Sequence, residues 1–144
     1  MEQKTAKTNG NLYLSNEDDA KATVVNPATG EIIEEIRVGL EPEGVAVSPT
    51  GEFVLVTSES TNMVHVIDVK QHKVVSNIIV AARPRGLAFN KTGSLAYVSS
   101  EIGNELAIID MKTHKITKNI VVDIPKSKPM AITLSPDDKT LYLT

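Results

Sequence analysis

A spacing of 42 residues runs through the chain and restricts its fold more than any single motif does. Pro42 recurs as Pro84, Gly44 as Gly86 and Gly51 as Gly93, while Asn26 recurs as Asp68 and again as Asp110. The third copy is displaced by three residues, so that Pro84 is followed by Pro129, because VVDIPKSKPM is longer than IVAARP. Self-similarity at such a period marks an architecture in which one supersecondary unit stacks on the next.

The units run over about 11–51, 52–93 and 94–139, residues 140–144 begin another, and residues 1–10 form a polar N-terminal tail. Each unit holds four short apolar runs; in the second they are VLVTS, MVHVIDV, KVVSNIIV and RGLAFN. β-Branched residues dominate these runs, several alternate with period two, and none has the length of an ordinary helix. The chain is therefore predicted to be all-β. Four antiparallel strands in about 42 residues describe a β-propeller blade, which gives about three and a quarter blades. A ring of about seven blades needs roughly twice this length, so the sequence predicts a fragment of a seven-bladed propeller with open edges prone to self-association.

Within a blade, the run after the proline is expected to face the axis, with Val45 and Val47, Leu87 and Phe89, and Ile132 and Leu134 on one side of it. The run with a polar middle, containing Glu34 and Glu35, Ser76 and Asn77, or Lys118 and Asn119, is expected to be outermost, where charges discourage edge pairing. In VAARPRGLAFNKTGSLAYVSS, from Val80 to Ser100, the proline and both glycines then read as punctuation of a crossover and a turn. That reading leaves Arg83 and Arg85 without a role.

Composition narrows the function classes. With 41% hydrophobic residues the chain can bury a core, and its net charge of −3 provides no basic field for nucleic acid. The absence of cysteine removes disulfides, thiolate zinc sites, c-type haem attachment and thiol nucleophiles. No apolar run reaches membrane-spanning length, and MEQKTAKTNG has no signal-peptide core.

The segments LYLSN, VLVTS, AYVSS and LYLT, together with VVNPATGEII, VIDVKQHKVV, IIDMKTHKIT, PEGVAVSPTG and PRGLAFNKTG, resemble the YVTN-family β-propeller repeat from Asn11 to Thr144. The resemblance implies a bacterial or archaeal propeller of about seven blades, of the surface-layer type or associated with PQQ-dependent catabolism. It implies a periplasmic or cell-surface location, with the cytoplasm as the alternative.

His72 and His114 stand where Gly30 stands in the first unit, which predicts left-handed turn positions rather than metal ligands. His65 aligns with Thr23 and Ala107, a variable strand position. Asn26, Asp68 and Asp110 end strands, where their side chains can cap the following turn. Asn90-Lys91-Thr92 matches a glycosylation sequon but falls in a turn. Neither catalytic residues, metal nor cofactor are expected.

The crossovers between blades share one face with the loops joining second and third strands. That face carries Glu41, Glu43, Arg83, Arg85, Lys126 and Lys128 from crossovers, and Glu17, Asp18, Asp19, Glu59, Asn62, Glu101 and Asn104 from loops, whereas the other face repeats SPTG, NKTG and SPDDK. Variety on one face points to binding there. Arg83, Arg85, Glu43, Glu59, Glu101, Lys126 and Lys128 are the candidate ligand-binding residues; the arginines could hold an anion or pair with Glu101 or Glu43. The resulting expectation is a non-enzymatic binding or scaffolding module with a small molecule or protein as partner. The alternatives are part of a propeller enzyme, lactonase-like or oxidoreductase-associated, with catalytic residues outside this segment, and a structural surface-layer repeat.

Overall fold

The computed structural model describes residues 10–144, so of the polar tail expected at 1–10 only Gly10 falls within the described residues. Thirteen strands and no helix occur among them. β1 (Leu12–Asn16), β2 (Lys21–Val25) and β3 (Ile32–Arg37) form a three-stranded sheet. β4 (Pro42–Val47), β5 (Phe53–Ser58), β6 (Met63–Asp68) and β7 (Lys73–Ile79) form a four-stranded sheet, as do β8 (Pro84–Phe89), β9 (Leu95–Ser100), β10 (Glu105–Asp110) and β11 (Lys115–Val121). β12 (Ile132–Leu134) and β13 (Leu141–Leu143) pair as the start of a fourth sheet. Every pair is antiparallel and joins neighbours in sequence. This is a partial β-propeller, as the period predicted.

Period-two alternation in the central strands supplies the core. Val54 and Val56 of β5 join Ala22, Val24, Ile36, Ile67 and Val69 between the first and second sheets, while Leu55, on the opposite side of the same strand, joins Val64, Val66, Val98 and Ile109 between the second and third. A strand buried on both faces reads as a continuous apolar run, as VLV does. The repeat extends to irregularities: β2–β3, β6–β7 and β10–β11 each slip register, after Val24, Val66 and Ile108 respectively. Such bulges increase local twist.

The turns follow the sequence expectation. Gly30, His72 and His114 have φ of 74°, 51° and 53°. Asn26 Oδ1 accepts from the Ala28 amide at 2.9 Å, Asp68 Oδ1 from Gln71 at 2.8 Å, and Asp110 Oδ1 from Thr113 and Lys112 at 3.0 and 2.8 Å. The Thr113 and Lys112 amides hold the Asp110 carboxyl below the usual range.

Gly86 corrects the punctuation reading. Gly93 does occupy a left-handed turn at φ 73°, but Gly86 lies within β8, where a Cβ would meet the Met130 carbonyl oxygen at 2.4 Å. At Gly44 a Cβ would meet the Arg85 carbonyl oxygen at 2.1 Å. These glycines let adjacent inner strands approach. Hydroxyls then join the blades: Ser15 donates to the Glu43 carbonyl at 2.8 Å, Thr57 to that of Arg85 at 3.2 Å and Ser99 to that of Met130 at 2.8 Å.

Candidate functional site

The crossover segments and the second-to-third-strand loops are tied together by backbone hydrogen bonds. The Glu59 amide donates to the Glu41 carbonyl at 3.0 Å and the Glu101 amide to that of Arg83 at 2.9 Å, while the Arg83 amide donates to Asn62 Oδ1 at 3.0 Å. Glu41, Arg83 and Lys126 all adopt positive φ, at 53°, 60° and 63°. Each crossover therefore bends sharply just where its charged side chains project.

Five of the seven candidate residues converge. Arg83 Nε lies 2.7 Å from Glu59 Oε2 and 3.5 Å from Glu101 Oε2. Arg85 Nε lies 2.7 Å from Glu101 Oε2, and its Nη1 lies 2.7 Å from Glu43 Oε2. That Nη1 is also 2.9 Å from Glu59 Oε1, but out of hydrogen-bond alignment, so this attraction is Coulombic. The Glu59 and Glu101 side chains are only 5% and 7% exposed. Lys128 stands 3.7 Å from Glu101 Oε1 and is largely exposed, while Lys126 makes no ion pair among the described residues.

The electrostatics follow from this packing. The hydrogen bond from Arg85 holds the Glu101 carboxyl below its usual range despite burial. Burial opposes the charge on Arg85, but the hydrogen bond to Glu101 and the fields of Glu43 and Glu59 outweigh it and raise its pKa. Arg83 is raised by its hydrogen bond to Glu59. The two arginines are not equivalent, since their side chains are 41% and 17% exposed. Arg83 borders a cleft of about 340 Å³ with Glu41, Glu59, Ser60, Asn62, Ala82 and Ile102. In it Ser60 Oγ donates to Glu41 Oε2.

The histidines are placed elsewhere. The His72 ring meets Tyr13 edge-on at 6.4 Å and that of His114 meets Phe53 at 5.1 Å. His65 is buried in β6, where Nε2 accepts from the Gly39 amide at 2.8 Å and Nδ1 lies 2.6 Å from Asn77 Oδ1. Among the described residues no three His, Asp or Glu side chains are placed to hold a metal. Asn90 of the sequon turns its side chain inward, onto the Leu95 amide at 3.0 Å.

The family model described as lactonase, 7-bladed beta-propeller, matches residues 45–144. The chain belongs to that family. Among solved structures, this lactonase-family chain is similar to Kuenenia stuttgartiensis hydrazine synthase, at 28% identity and a TM-score of 0.88 over 93% of this chain and 38% of that one. It is also similar to the dihydro-heme d1 dehydrogenase NirN in complex with DHE, at 18% identity and a TM-score of 0.80 over 93% of this chain and 30% of that one. No curated protein matches the sequence. The chain thus spans about a third of the length of these structures.

Family membership overturns the expectation of a non-enzymatic module: this is an enzyme-related propeller. That expectation rested on a lack of converging ionisable groups. Three carboxylates do converge, brought together by residues 42 apart in sequence that face one another across blades, as Arg85 and Glu43 do. The 42-residue spacing of Glu17, Glu59 and Glu101 was the available signal.

Proposed function

We propose that the chain is the propeller portion of a lactonase-type enzyme, and that its crossover face holds the substrate's carbonyl oxygen and the carboxylate of the hydroxy-acid product. Convergence of Glu43, Glu59 and Glu101 on Arg83 and Arg85, beside an open cleft in a lactonase-family chain, carries this reading. Opening a lactone builds negative charge on the carbonyl oxygen and leaves a carboxylate, and a fixed guanidinium stabilises both. Arg85 is consumed by three carboxylates and serves as the frame. Arg83 commits only Nε to Glu59 and Glu101, which leaves its Nη edge for the ligand. Glu101, its carboxylate hydrogen-bonded by Arg85 and held below the usual range, is a weak proton acceptor near neutrality. The groups that activate water are therefore assigned to other parts of the seven-bladed ring. Following the YVTN resemblance, the protein is placed in the periplasm or at the cell surface.

Titration with gluconate, glucono-δ-lactone and glucose, followed by calorimetry, tests the reading. Gluconate and its lactone should bind, glucose should bind at least tenfold more weakly, and Arg83→Ala, measured below its own melting transition, should weaken gluconate binding at least tenfold. No binding of gluconate or the lactone, or equal binding by Arg83→Ala, would overturn it. The likeness to hydrazine synthase favours a second reading, in which the propeller serves a redox enzyme; a haem absorption band in the protein isolated from its native source would select it.

A further inference from the structure

We infer that His65 is a pH-sensitive latch that holds the first crossover, residues 38–41, against the second blade when neutral and releases it when protonated. The observation is a ring with both nitrogens committed in a buried place: Nε2 accepts from the Gly39 amide at 2.8 Å and Nδ1 faces Asn77 Oδ1 at 2.6 Å. An amide oxygen only accepts, so Nδ1 carries the proton and Nε2 the lone pair. Protonation at Nε2 would set two N–H donors against each other across that contact.

The alternative partner is already in position. Ser58 Oγ lies 3.0 Å from the same Nε2 and is fully buried. A hydroxyl can donate or accept, so protonated His65 can donate to Ser58 and Gly39 is left without its acceptor. The two protonation states thus select two hydrogen-bond arrangements rather than one intact and one broken. A cleft of about 250 Å³ beside the ring, between Arg37, Thr61 and Val74, gives the released segment room and water access. Arg37 is the one other charged or titratable side chain lining that cleft among the described residues; those contributed by the crossover, the loop between β5 and β6, Met63 of β6, and β7 are neutral. Burial disfavours the imidazolium and holds the pKa of His65 below its ordinary value, outweighing the hydrogen bond to Asn77, which raises it.

Among the described residues the device belongs to one junction only. In the next blade Ala107 stands at the position of His65 and Ala81 at that of Gly39, and the corresponding hydroxyl, Ser100 Oγ, is buried without a partner. Gly39 itself is pressed onto the latch, since a Cβ there would meet Thr61 Oγ1 at 2.1 Å and His65 Nε2 at 2.9 Å. Two residues further on, Glu41 borders the Arg83 cleft and its carbonyl accepts from the Glu59 amide. Release of Gly39 would therefore loosen the wall of that cleft; this last consequence rests on the crossover face being the ligand site.

Nuclear magnetic resonance on the intact chain decides the matter. The His65 ring should titrate below about 6.5, and the Gly39 amide, corrected for intrinsic exchange, should lose at least tenfold of its protection between pH 7.5 and 5. His65→Gln, whose amide oxygen can accept but does not titrate in this range, should keep Gly39 protection independent of pH. A wild-type Gly39 amide equally protected at both pH values, or an unchanged pH dependence in His65→Gln, would overturn the latch. Should His65→Gln fail to fold, the wild-type titration alone decides. Gluconate affinity falling in parallel with Gly39 protection links the latch to the cleft, whereas failure of gluconate to bind at any pH removes the ligand site and leaves the Gly39 result standing.

Discussion

Replacing Thr57 with valine tests whether inter-blade hydroxyls, rather than apolar packing alone, set how the blades join. Thr57 is fully buried in β5; its Oγ1 accepts from the Gly44 amide at 2.7 Å and donates to the Arg85 carbonyl at 3.2 Å, and so links an inner strand of its own sheet to that of the next. Valine keeps the shape and removes both bonds. Each backbone group left buried without a partner costs about 1–3 kcal/mol. The extra methyl recovers roughly 0.8 kcal/mol, for a net loss of about 1–5 kcal/mol. Thr57→Ser keeps the oxygen and loses one methyl, at about 1 kcal/mol. Serine is competent in this role, because Ser99 accepts from the Gly86 amide at 3.0 Å and donates to the Met130 carbonyl. Urea melts followed by circular dichroism should rank wild type above Thr57→Ser above Thr57→Val. With a slope of about 2 kcal/mol per molar, a 3 kcal/mol loss moves the midpoint by about 1.5 M. If the valine variant matches or exceeds the serine variant, the hydroxyl bridge contributes nothing net and the blades are held by side-chain burial.

Two further outcomes follow from the same contacts. Gly44→Ala should abolish cooperative unfolding or lower the melting temperature sharply, since its Cβ would drive into the neighbouring blade's backbone, whereas Gly30→Asn should be tolerated, because nothing lies within 4 Å and His72 and His114 already occupy equivalent left-handed positions. Arg85→Met should destabilise the chain at pH 7 and less so at pH 4, because the carboxylates it leaves unpaired can then take up protons; Arg83→Met should destabilise it less at pH 7, because Glu59 loses its hydrogen bond but keeps the Arg85 guanidinium 2.9 Å away.

The residues whose role is local were legible in the sequence. A left-handed turn at His72, a capping carboxylate at Asp110 and an inner strand after Pro84 all depend on a few neighbours, so type and spacing reveal them. Residues whose role lies between blades were not. Gly86 has the spacing of a turn glycine, yet the crowding that requires it comes from Met130, in another sheet. Arg83 and Arg85 look alike on either side of Pro84, and only the packing distinguishes an exposed guanidinium from one buried among three carboxylates.

The charged cluster shows why a perfect repeat would not serve. Glu59 and Glu101 hold the same place in successive blades, and each is buried beside an inner-strand position that reads Glu43, Arg85 and Met130 around the ring. Had every unit kept the glutamate of the first, three carboxylates would face one another with no cation between them, leaving only Arg83 and Lys128 at their exposed edge, and burying a carboxylate unpaired costs several kcal/mol. The arginine at position 85 breaks the repeat where two carboxylates must be buried together. Departure from the period, rather than adherence to it, therefore marks the part of this propeller with electrostatic work to do, and Arg83, the neighbouring departure, is the one that keeps an open edge toward the cleft.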